Sequence, residues 1–133
     1  MTTDAGLDAT EPRLPAPSPR GGGPVHVPSL SDTEYEALLT DLRLWVDALI
    51  SRFALDVRTL PPCWERHNAM VETLAALRDA ERGCFVDGPP PTAGLEWIRA
   101  VKDSAAYLRD RVTITQCNAH EHRDPVVPPG LTP

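Results

Sequence analysis

The stretch Ser31-Asp32-Thr33-Glu34-Tyr35-Glu36-Ala37-Leu38-Leu39-Thr40-Asp41-Leu42-Arg43-Leu44-Trp45-Val46-Asp47-Ala48-Leu49-Ile50-Ser51-Arg52-Phe53 decides the fold. Its first four residues spell a capping box. The Ser31 hydroxyl can accept from the amide of Glu34, and the Glu34 carboxylate can reach back to the amide of Ser31. After the cap, Tyr35, Leu38, Leu39, Leu42, Trp45, Val46, Leu49, Ile50 and Phe53 recur at steps of three and one. That spacing lays one apolar stripe along a helix. Glu36, Asp41, Arg43, Asp47 and Arg52 fall mostly off it, so the sequence predicts an amphipathic helix over about 32–54.

Two more helices follow. Pro61 and Pro62 lack amide hydrogens and suit a first helical turn. A second helix is therefore expected from about Pro62 to Arg82, with Cys63, Trp64, His67, Met70, Val71, Leu74 and Leu77 on its apolar face and Gly83 as a left-handed stop. Residues 83–91 read as a loop, with Phe85 and Val86 tucked under the helix ends. Thr92 would cap a third helix over about 93–113, with Leu95, Ile98, Val101, Ala105, Leu108 and Val112 as its seam and Trp97 and Tyr107 beside it. Three such helices with short connections imply an all-α chain, an antiparallel three-helix bundle spanning residues 31–122.

The flanks differ in composition. Six of the 15 prolines and four of the eight glycines fall within residues 1–30. A segment like EPRLPAPSPRGGGPVHVP buries too little apolar surface to offset its ordering entropy, so a disordered arm is expected over 1–30. Residues 123–133, with four prolines, read as a short flexible tail.

Charge and hydropathy exclude several classes of function. Acids outnumber bases 19 to 13, for a net charge of -6, which argues against a nucleic-acid partner. No apolar run approaches the roughly 20 residues of a membrane span, so no membrane partner is expected. Asp4, Asp8 and Glu11 near the N-terminus do not resemble a secretory signal, and the cytoplasm is the expected compartment. Three cysteines are too few for a disulfide scaffold, and in that compartment they are thiols, metal ligands or packing residues.

Five residues are candidate metal ligands: Cys63, His67, Cys117, His120 and His122. Residues four apart on a helix share a face, which would pair Cys63 with His67. Cys117-Asn118-Ala119-His120-Glu121-His122 is a second cluster just after the third helix. In an antiparallel bundle the second helix starts where the third finishes, so both clusters belong at one pole. Two thiols and two imidazoles at one point are the ligand set of a structural zinc site, with either His120 or His122 as the fourth donor. Cys84 belongs at the opposite pole. The alternative is that Cys63 is a small buried hydrophobe, His67 a core-edge residue, and His120 and His122 solvated.

Enzymatic readings are incomplete. Glu65 and Glu121 lie near the ligands in sequence, which keeps a zinc-dependent hydrolase open, but the H-E-x-x-H helix and the deaminase motif are absent. A Cys63/His67 nucleophile pair lacks an orienting third residue. A DNA-associated regulator would need a local arginine face that the overall count hides. The lack of a complete catalytic set favours a non-enzymatic helical accessory or adaptor protein that acts through contact with a protein partner. Trp64 or Trp97, if exposed, would anchor that partner; otherwise both belong to the core.

The run Pro61-Pro62-Cys63-Trp64-Glu65-Arg66-His67-Asn68-Ala69, followed by Val71-Glu72, Leu74 and Ala76-Leu77, resembles a family of small actinobacterial proteins. These form a domain of unknown function encoded on plasmids, integrative elements and phages. In that family a Cys and a Trp precede a His that opens a Leu/Ala-rich helix. A Trp-bearing helix and a closing Cys and His follow, here Trp97, Cys117 and His120 or His122. The resemblance covers roughly residues 40–122. It implies a mobile-element context and no particular activity.

Overall fold

The computed structural model describes residues 23–123, in which three long helices are found: α1 (Asp32–Phe53), α2 (Asn68–Cys84) and α3 (Ala93–Thr115).

 No strand occurs among the described residues.

The chain folds as the expected all-α three-helix bundle, with α2 and α3 packed antiparallel. Helix α1 starts as its capping box requires. Ser31 Oγ accepts from the Glu34 amide at 3.1 Å, and Glu34 Oε1 accepts from the Ser31 amide at 2.8 Å. It stops at Ala54, whose left-handed φ of 51° turns the chain while its amide bonds Ile50 O. Leu38, Leu39, Leu42, Val46 and Leu49 are buried, and Tyr35, Trp45, Ile50 and Phe53 pack half-buried against the same core.

Residues 54–67 return along α1 rather than turning tightly. Asp56 Oδ1 accepts from the amides of Arg58 and Thr59, both at 3.2 Å, which fixes the bend. Further on, Leu60, Pro61 and Trp64 are buried, and the Glu65 carboxylate takes the Arg43 guanidinium in a two-pronged ion pair at 2.7 Å. In the second half of α1, Trp45 Nε1 and Arg52 both bond Glu81 near the end of α2. Helices α1 and α2 therefore point the same way, with residues 54–67 as the descending limb.

The second helix begins later than its sequence suggests. A 3-10 turn, Trp64–Arg66, occupies the expected first turn, and α2 starts at Asn68 with His67 extended as its N-cap. The tighter turn lets Trp64 bury its ring while Cys63 stays half-exposed. Gly83 lies inside α2 and has no left-handed conformation; the positive φ values of this region belong to Asp87 and Gly88. Phe85 and Val86 are exposed, not tucked beneath the helix ends.

Helix α3 is rotated from its expected seam. Leu95 and Ile98 are 54% and 48% exposed, whereas Trp97 is buried with Val101, Leu108 and Val112. Trp97 stacks edge-on against Trp45 and Phe53, at ring-centre distances of 6.4 and 6.2 Å. Its large apolar area outweighs the smaller gain from burying two aliphatic side chains beside it. With Trp64 also buried, neither tryptophan is available as an exposed anchor.

Order begins before Ser31. Val27, in a 3-10 turn Val27–Ser29, is buried, and the Val25 amide donates to Asp79 Oδ2 at 2.8 Å. The described part of the expected disordered arm, residues 23–30, thus packs on the bundle. Residues 1–22 of that arm and 124–133 of the tail lie outside the described residues.

Candidate metal centre

Four side chains converge where α2 begins and α3 ends. Cys63 precedes the 3-10 turn, His67 caps α2, and Cys117 follows Gln116, the left-handed residue that stops α3. His122 is brought back by a turn built on Asn118. The Asn118 side-chain oxygen accepts from the amides of His120 and Glu121 at 2.8 and 2.9 Å, and the Asn118 amide bonds Glu121 O at 3.0 Å.

The donor atoms of Cys63, His67, Cys117 and His122 all lie within 4.8 Å of one another. Cys63 Sγ is 3.6 Å and Cys117 Sγ 3.3 Å from His67 Nε2, and Cys117 Sγ is 3.8 Å from His122 Nδ1. Zinc–sulfur and zinc–nitrogen bonds of about 2.3 and 2.0–2.1 Å, arranged tetrahedrally, put sulfur and nitrogen about 3.6 Å apart. The three measured separations bracket that value, so the donor set fits a tetrahedral cation.

The two thiols differ electrostatically. Burial, with Cys117 as neighbour, pushes the Cys63 thiol up to about 11. Burial alone would raise Cys117 too, but the Arg123 amide, 3.2 Å from its sulfur, together with Thr115 and Cys63, brings it below the ordinary thiol value. Of the pair, Cys117 is therefore the readier to give up its proton and Cys63 the more reluctant. A cation bound here would displace the thiol protons.

Of the five candidate ligands, the structure brings four together and leaves His120 exposed, because the Asn118 turn directs it outward. Cys63 and His67 do meet, but across the 3-10 turn rather than on one helix face. Cys84, at the end of α2, is outside the cluster. Glu65 is held by Arg43, and Glu121 is exposed beside Arg123 at 3.4 Å. The Asn118 turn was legible in principle, since asparagine favours such local hydrogen bonds.

No protein-family model, curated protein or solved structure matches the chain. Among the described residues, no helix is long and apolar enough to cross a membrane.

Proposed function

We propose that this chain is a non-enzymatic helical accessory or adaptor protein, stapled by a structural zinc ion and acting through contact with a protein partner. The observation that carries the zinc assignment is the near-tetrahedral spacing of two thiols and two imidazoles. Thiolate and imidazole donors together suit zinc over magnesium or calcium, which take oxygen ligands. Four protein donors close the coordination sphere, whereas a hydrolytic zinc keeps one position open. Glu65, one of the two candidate bases, is also committed to Arg43.

The staple would join the descending limb and the start of α2 to the segment after α3. The apolar side chains of Phe85, Val86, Leu95 and Ile98, exposed around the opposite end of the α2–α3 hairpin, are available for a partner. The family resemblance points to a partner in a mobile-element replication or transfer apparatus. Elemental analysis of purified protein should find near one zinc per chain, and chelation should lower its melting temperature. Metal-free protein with an unchanged melt would remove the zinc; native-host pull-downs that recover no specific protein would remove the adaptor role.

A further inference from the structure

We infer that Cys63 and Cys117 form an oxidisable pair, a redox modification site at which peroxide makes a disulfide and expels the metal. The inference deepens the zinc reading and rests on the same cluster. Both sulfurs sit against one atom, His67 Nε2, at 3.6 and 3.3 Å, and lie within 4.8 Å of each other. Closing to the ~2.05 Å of a disulfide requires only local movement. Neither cysteine lies inside a helix: Cys63 precedes the 3-10 turn and Cys117 follows the stop of α3. Each side chain can therefore turn toward the other without breaking a hydrogen bond of α2 or α3. Cys63 and His122 are half-exposed, which gives a small oxidant access to the cluster, whose His67 and Cys117 are buried. Cys84 is at the far end of α2 and does not compete.

The chemistry balances with hydrogen peroxide as the oxidant. One thiolate sulfur attacks a peroxide oxygen; the O–O bond breaks, hydroxide leaves and is protonated to water, and a sulfenic acid remains. The second thiolate attacks that sulfur; the S–O bond breaks, hydroxide leaves and takes a solvent proton to become the second water, and the S–S bond forms. Two thiolates together lose two electrons, and peroxide with two solvent protons becomes two waters. Zinc then retains only His67 and His122 of its four ligands and is released as the dication.

The test treats full-length protein with hydrogen peroxide in two forms, zinc-loaded and reduced metal-free, and maps tryptic peptides without reduction. Cleavage after Arg58, Arg66, Arg111 and Arg123 places Cys63 and Cys117 on separate peptides, and both exclude Cys84. The expected result is one peptide pair joined through Cys63 and Cys117, with zinc released in proportion to the disulfide and both changes reversed by dithiothreitol. Cys63→Ser should abolish the joined pair. Recovery of both cysteines as free thiols or as separate sulfinic acids, or linkage through Cys84, would overturn the inference. Protein that carries no zinc but still joins Cys63 to Cys117 defeats the zinc assignment alone. Protein that binds zinc but never joins them defeats the oxidisable pair alone.

Discussion

Replacing Cys117 with serine separates a metal ligand from a packing residue. The substitution keeps the small volume, and serine oxygen can still accept from the Arg123 amide that now lies 3.2 Å from the sulfur. In the metal-free protein the change should therefore cost about 1 kcal/mol or less. With zinc the loss should be larger. Free zinc held 100- to 1,000-fold above its dissociation constant stabilises a folded site by about 2.7–4.1 kcal/mol. For a domain near 100 residues, each kcal/mol moves the melting temperature by about 4–8 °C. Wild type should thus melt about 10–30 °C above Cys117→Ser in zinc, and within a few degrees of it in EDTA, as about 1 kcal/mol allows. Thermal melts of both proteins under both conditions close the cycle. An equal wild-type–variant gap in zinc and EDTA would show that Cys117 only packs, and the reasoning from donor geometry would fail.

Other substitutions probe separate parts of the structure. His122→Ala should lower bound zinc as Cys117→Ser does, whereas His120→Ala should leave zinc content unchanged by elemental analysis. Leu42→Ala, at a fully buried position, should cost about 2–5 kcal/mol in urea unfolding. Ser31→Ala removes the capping hydroxyl and should cost about 0.5–2 kcal/mol in the same assay. Glu65→Gln breaks a partly exposed ion pair and should cost under about 1 kcal/mol, less at high salt, with no loss of zinc.

Helix α1 was legible almost to the residue because its capping box and apolar stripe are local signals. The seam of α3 was harder to read. Periodicity alone does not fix which of several adjacent apolar faces turns inward, and Trp97 prevailed over Leu95 and Ile98 through contacts with Trp45 and Phe53 on another helix. The start of α2 was also obscured, since two prolines permit either a helical first turn or a 3-10 turn, and burial of Trp64 selects the latter. At the candidate metal site, the shared pole followed from chain topology, whereas the choice of His122 over His120 depended on the hydrogen bonds of Asn118.

The cluster also imposes an order on biosynthesis. His67 and Cys117 are separated by 50 positions, so at about 5–20 residues per second the second couple is made roughly 3–10 s after the first. During that interval the nascent chain holds only Cys63 and His67 of the four clustered donors. Full coordination of a cation would have to wait until α3 has been translated and has folded back, so the four donors would meet only on a completed hairpin.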